Sequence, residues 1–300
     1  MTDQSSRPGT PPPGFRLPPD TRLGSVTLQV ADLERSLRFY QEVLGLHLLA
    51  RETDGALLGA EDRHPIVALR ERAGAVPVPR RGRLGLYHFA ILLPDRPALG
   101  RFLGHLLELG VRPGMSDHLV SEAIYLSDPD GLGIEVYADR PRDTWRVAAG
   151  QLVMATEPLD AAAVLEAAAG APWRGMPAGT VLGHVHLSVA DLGEASRFYH
   201  DGLGMDRMVW GYPGALFLAA GGYHHHLGTN TWAGGAPPAG PDDARLLEWE
   251  VVVPTDGEAR QALDSLEAAG ATVRREAAGG ASPDPWGTVV RIRAGGSRGG

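Results

Sequence analysis

The stretch GHVHLSVADLGEASRFYHDGLGM, residues Gly183–Met205, echoes SVTLQVADLERSLRFYQEVLGL, residues Ser25–Leu46. Each reads as an alternating strand, an Asp suited to cap a helix, an amphipathic helix and a Gly stop. Two fainter copies are YHFAILLPDRPALGRFLGHLLELG, from Tyr87, and EWEVVVPTDGEARQALDSLEAAG, from Glu248. Internal repeats govern the reading of a whole chain. The pattern predicts four strand–helix–strands units, over about Leu23–Gly74, Gly85–Arg140, Thr180–Trp232 and Arg245–Ala294.

The repeat supplies a coordinate system. Counting seven residues back from Asp32, Asp95, Asp191 and Asp256 gives Ser25, His88, His184 and Trp249. The last strand of unit two, DPDGLGIEVYADRP, carries Glu135, and Arg291 takes the same slot in unit four. Unit one ends PIVALRERAG, with no ligand type at the matching place, and unit three ends GGYHHHLGTNTW. Metal-capable side chains thus occupy units two and three and are missing from one and four. Two neutral imidazoles and one carboxylate, with positions left open, suit a non-haem Fe(II) or Mn(II).

Strand parity refines this picture. His88 and Ala90 share one face of the first strand of unit two, and Glu135 shares a face with Gly133 and Tyr137. Both can face one hollow. His186 shares a face with His184 and is expected to orient a neighbouring imidazole. From Tyr223 to Asn230, alternation groups His224 and His226 with Gly228 and Asn230. It expects His224 or His226 in the pocket and His225 in a structural role.

Composition bounds the rest. Three hundred residues can hold two ordinary domains. A net charge of -8, with no basic stripe, argues against a nucleic-acid partner. No apolar run reaches spanning length and no signal-peptide pattern opens the chain, so a cytoplasmic location fits and no membrane partner is expected. The absence of cysteine excludes disulfides and thiolate chemistry, and the absence of lysine excludes a Schiff base. The Pro/Ser/Gly-rich residues 1–20 are expected to be a disordered tail, as are 295–300. Between them the sequence divides into 21–141, a linker 142–179 with a short helix, and 180–294. Each flanking half holds two units. Oligomeric state is not legible.

The xVxDLxxSxxFYxxxLG pattern and the strand DPDGLGIEVY resemble the vicinal oxygen chelate superfamily. The combination GLYHFAILLPDR, HLVSEAIYLSDPDGLGIEVYADRP, LGHVHLSVADL and GGYHHHLGTNTW is similar to the two-domain catechol-2,3-dioxygenase-like proteins of bacteria. The resemblance implies an α+β fold of four βαβββ modules paired into open, cup-shaped barrels. It implies the metal ligands His88, Glu135 and His184. It also implies pocket roles for His118 and Tyr125, and an acid-base role for the histidine run of unit three. In the familiar extradiol enzymes the ligands come from one sequential pair of modules. Here they come from modules two and three, so a single site requires those two to share a cup.

The activity this implies is extradiol cleavage of a catechol-type aromatic by O2 at Fe(II), with Mn(II) as the other metal. The small aromatic and O2 are then the partners, and aromatic catabolism the setting. A glyoxalase-type lyase or isomerase would use the metal as a Lewis acid without O2. A ligand-sequestering protein of the bleomycin-resistance type would hold no metal.

Overall fold

The structure is a computed structural model and describes residues 8–295. Four βαβββ modules are present. Their first strands are Arg22–Val30, Gly85–Leu92, Val181–Ser188 and Arg245–Val253. The Asp caps expected at 32, 95 and 191 each accept a hydrogen bond from the backbone N–H three residues on. The helix of module four begins differently. Thr255 caps it in a reciprocal pair with Glu258. The residue seven before the cap is therefore Glu248, and Trp249 is not in the ligand slot as the sequence reading had it. Trp249 is fully buried and lies one position along an alternating strand, so it faces the opposite side.

Two curled eight-stranded sheets result. In one, the first strands of modules two and three pair antiparallel, with Val185 opposite Phe89 and His186 opposite His88. In the other, the first strands of modules one and four pair, with Thr27 opposite Glu248. The modules are thus cross-paired. The contiguous halves 21–141 and 180–294 each give one module to each sheet, so neither half is a sheet unit. One apolar core runs through both sheets and their helices, from Val26 and Tyr40 through Phe89 and Phe102 to Val185, Tyr199 and Val251. Buried hydroxyl–carboxyl bonds fasten the modules. Tyr40 of module one donates to Asp128 of module two at 3.2 Å, and Tyr199 of module three donates to Asp284 of module four at 2.8 Å. Among the described residues no helix is long and apolar enough to cross a membrane.

The expected tail over 1–20 is partly corrected. Residues 1–7 lie outside the described residues, but the chain from Pro8 is held. Gly9 N–H bonds to Gly150 O, Arg16 makes two bonds to Asp206 at 2.7 and 2.6 Å, and Leu17 is 2% exposed. Two apolar anchors, Phe15 and Leu17, outweigh the Pro-rich composition. At the other end Gly295 N–H bonds to Val253 O, and 296–300 lie outside the described residues. The linker 142–179 contains the expected Ala-rich helix, Ala161–Ala167, capped by Asp160. It also crosses the site, where Met154, Ala155 and Thr156 line the cavity.

Candidate metal centre

Strand register alone brings the candidate ligands together. Tyr125, Glu135, Ala90 and His184 form one row across four neighbouring strands, through the pairs Tyr125–Glu135, Ala90–Glu135 and His184–Ala90. Side chains in such a row share a face. Ala90 sits between Glu135 and His184, and its single methyl leaves them room to approach. His88, two residues before Ala90, reaches in from the next row. There it lies opposite His186, which lies opposite Gly228. A Cβ on Gly228 would come within 2.9 Å of the His186 ring, so glycine there sets that ring's place.

The outcome is a tight cluster. His88 Nε2 lies 3.0 Å from Glu135 Oε2, His184 Nε2 lies 3.2 Å from the same oxygen, and the two Nε2 atoms are 3.3 Å apart. All three residues are buried, with Glu135 2% exposed. A buried carboxylate needs a cationic or hydrogen-bonding partner. The two imidazoles are the partners within 3.2 Å of its Oε2. Burial by itself pushes the Glu135 carboxyl up, but the imidazoles of His184 and His88 hold it well below the ordinary carboxylate range. Burial, against the pull of Glu135, brings His184 down to about 4. Near neutral pH the carboxyl is thus ionised and the His184 ring neutral, the state in which such groups bind a metal. Three donors at these separations can share one ion, whose ligand bonds are about 2.0–2.2 Å long. The residues present fit a divalent cation.

These donors open into a cavity of about 320 Å³. His118 and Tyr125 lie in it together. His118 sits in a tight turn whose next residue, Leu119, has a φ of 68°, a conformation that a branched side chain adopts at a cost. Its Nδ1–H donates to Ala155 O at 2.7 Å, which leaves Nε2 to accept from the Tyr125 hydroxyl at 2.5 Å. Burial, then the nearby Glu135 charge, pushes the Tyr125 phenol well above its usual range, so it stays a proton donor. His186 also lines the cavity, its ring centroid 5.0 Å from that of His88, and burial keeps it neutral.

The histidine run is oriented otherwise than alternation predicts. His225 lines the cavity, its ring 4.0 Å from that of His184. His224 and His226 do not line it. His226 Nδ1 accepts from Ala220 N–H at 3.2 Å, folded onto its own turn. His224 points to Asp139, with Nε2 2.9 Å from Oδ1. The reason is local: the strand begins only at Leu227, and the chain bends at His224 and His226, so period-two parity does not extend back to the run. Burial, with His184 next, holds His225 well below its usual pKa.

Sequence reasoning missed most of the cavity wall. Tyr212, Phe217 and Trp232 of module three and Tyr87 of module two make an aromatic mouth, with Tyr87 and Trp232 edge to face at 5.5 Å. The pattern of loop aromatics around GGYHHHLGTNTW was the signal available. His105 and His200 do not line this cavity and bond to the carbonyls of Glu42 and Met205.

Comparison with known proteins agrees with this architecture. The profile of the Glyoxalase/Bleomycin resistance protein/Dioxygenase superfamily matches residues 22–136 and 181–288, which together span the four modules. A catechol-2,3-dioxygenase of Bacillus subtilis (strain 168) is 49% identical over 237 residues, which cover 78% of this chain and 83% of that protein. A biphenyl-2,3-diol 1,2-dioxygenase 3 of Rhodococcus globerulus is 30% identical over 123 residues, 39% of this chain and 63% of that protein. Among solved structures, glyoxalase I from Zea mays superposes with a TM-score of 0.56 at 17% identity, covering 92% of each chain, a likeness of fold. The chain belongs to the Glyoxalase/Bleomycin resistance protein/Dioxygenase superfamily.

Proposed function

We propose that this protein is an extradiol dioxygenase that opens the ring of a catechol-type aromatic with O2, using one divalent iron held by His88, Glu135 and His184. Manganese is the other metal that this donor set suits. The observation that carries the reading is the convergence of three buried donor atoms, 3.0–3.3 Å apart, at the floor of an aromatic-walled cavity. The relative at 49% identity, itself named a catechol-2,3-dioxygenase, supports the same chemistry. When bound, the iron would supply the redox chemistry that joins O2 to the ring.

The remaining chemistry falls to side chains. Phe217, Tyr212 and Trp232 give a flat aromatic ring an apolar seat, and Met154 closes it from the linker. His225 is a neutral imidazole in the cavity and can take a ring-hydroxyl proton and later return it. This role moves to His225 from the His224 and His226 expected by parity. Tyr125 stays protonated, so its hydroxyl can turn from His118 to donate to oxygen charge that develops as the ring opens. Until that turn, His118, anchored to Ala155 O, holds the phenol in place by accepting from its hydroxyl.

The test is metal analysis of anaerobically purified protein, followed by an O2 electrode with a panel of catechols. Uptake of about one O2 per ring with a yellow ring-opened product is expected. No uptake by fully iron-loaded protein on any catechol would overturn the reading in favour of a metal-dependent lyase or isomerase.

A further inference from the structure

The cavity over the metal donors has two unlike ends. One holds the imidazoles and Glu135, where two ring hydroxyls would bind. From there an aromatic run leads to the surface. Phe217 is 6% exposed, and its ring centroid lies 5.0 Å from that of His225 and 5.7 Å from that of His186. It meets Tyr212 edge to face at 5.6 Å, and Tyr212 meets Trp232 at 6.5 Å. Trp232 and Tyr87 end the run at the mouth, 48% and 46% exposed.

The linker supplies a further wall. Met154 packs against the apolar cluster that contains Phe217. The segment is tied down at several points. Asp117 and Glu157 exchange two backbone hydrogen bonds, at 2.8 and 2.9 Å, and His118 Nδ1 bonds to Ala155 O. The hydroxyls of Thr156 and Tyr212 bond at 2.8 Å. The linker thus joins module two to module three beside the cavity, and Met154 is held in place rather than free to swing away.

Charge is as uneven as shape. Among the described residues no arginine lines the cavity, and the chain has no lysine. Arg140, the cation bonded beside the Ser116–His118 wall, is neutralised by Asp117 at 2.7 Å and Glu122 at 3.3 Å. Arg142 lies over the rings of Trp145 and Tyr223. A carboxylate seated against the aromatic run would lose its water and meet no cation, and ring faces are themselves negative. Burying an unpaired charge is costly, whereas an apolar substituent gains by leaving water. The volume of about 320 Å³ lies at the small end of ligand clefts, about 300–1,000 Å³, yet leaves space beyond a lone catechol ring.

We propose that this cavity selects catechols carrying an uncharged, apolar ring substituent, alkyl or aryl, and that Met154 and Phe217 are the residues that read it. The proposal rests on the dioxygenase reading for the two hydroxyls and adds what the rest of the ring must be. The hydroxyls fix one edge of the ring at the donor end, so the substituent is carried towards Phe217 and the linker. Selection by charge is then a property of the walls and not of the metal.

The experiment uses the full chain loaded with zinc, which fills the site without turnover, and reads binding by calorimetry. The acids 2,3- and 3,4-dihydroxybenzoate are each compared with their methyl esters, which keep the skeleton and remove the charge. In the pair with the tighter ester, the ester should bind at least about 100-fold more tightly than the acid. An acid that binds as tightly as its ester would overturn the proposal. Met154→Arg, shown by circular dichroism to be folded, should bring acid and ester at least about 10-fold closer, because it supplies a cation to the wall. A gap that stays the same there would overturn the assignment to this wall. Met154→Ala should weaken phenylcatechol several-fold and leave unsubstituted catechol as it was. An equal loss on both, or none on either, would contradict the role given to Met154. With iron-loaded protein and O2, kcat/KM should follow the same order of substrates. If no catechol is turned over, the dioxygenase reading fails, and calorimetry still decides the preference for charge.

Discussion

The two sheets are built from the same module, yet one gathers three metal donors and the other closes the same place with ion pairs. In the cup of modules two and three, His88, His184 and Glu135 converge. At the equivalent positions of modules one and four stand Ser25, Glu248 and Ala68, with Arg291 in the module-four carboxylate slot. Arg291 Nε donates to Glu248 at 2.6 Å and its NH1 group also pairs with Glu276. Ser25 donates to Glu250 at 3.2 Å. A guanidinium carries its own positive charge to the acidic groups, so this cup is neutralised from within. The other cup concentrates acceptors and leaves the cation to be supplied. The repeat fixes the geometry in both cups, and four side chains decide which of them is a site.

The comparison breaks most visibly at the metal. Glu135→Gln or His184→Ala should reduce bound metal from about one ion per chain to almost none, read by elemental analysis, with circular dichroism unchanged. Glu248→Gln and Arg291→Met, in the other cup, should leave metal content as it was. Loss of metal in the second pair would erase the distinction between the cups.

Next in size is turnover. His225→Phe should lower kcat by roughly 10²–10⁴-fold with metal retained, because in the proposed reaction this side chain moves a proton and does not hold the ion. His226→Phe should cost far less, since its ring is turned onto Ala220. Parallel steady-state kinetics on the two variants separates the cavity-facing histidine from its neighbour.

The ion-paired cup should respond in stability instead. Arg291→Met should destabilise the fold by about 1–2 kcal/mol, below the full cost of breaking a buried pair because both partners keep about a fifth of their exposure. Adding Glu248→Gln should recover part of that loss in a urea-denaturation double-mutant cycle. Purely additive losses would show that the pair does not couple.

A pH-dependent effect concerns the bond between modules one and two. Burial, partly offset by bonds from Leu132 N–H and Asp130 N–H, raises Asp128 to about 6. Its folded pKa is above its unfolded value, so the folded protein binds the extra proton between about pH 4 and 6. The group therefore lowers stability progressively as pH rises through that window, with the full cost above it. Asp128→Asn should flatten that part of the urea-midpoint profile. An unaltered slope would remove Asp128 as its source.

Much of this was legible in the sequence. The repeat, the Asp caps and the need for modules two and three to share a cup followed from Gly183–Met205 and its echoes. His88, Glu135 and His184 stand at repeat positions, and position on a regular strand is what parity resolves. Readings failed where regular structure stops. The Thr255–Glu258 capping box shifted the frame by one residue, exchanging Glu248 for Trp249. Bends ahead of Leu227 turned His225 inward. The contact of Asp139 with His224 spans 85 residues, and no local pattern encodes it. In the aromatic mouth Tyr87 and Phe217 stand on strands, but Tyr212 and Trp232 sit in loops, whose course is set by tertiary contacts such as Thr156 Oγ1 to Tyr212 Oη at 2.8 Å.

The central claim is that one cup holds a single metal and its sibling holds none. Anomalous diffraction from crystals of metal-loaded protein, collected on both sides of the iron edge, tests it directly. We expect one peak per chain, roughly 2.0–2.3 Å from His88 Nε2, His184 Nε2 and a Glu135 carboxylate oxygen. A peak beside Arg291 and Glu248, or one coordinated by other residues, would contradict the account.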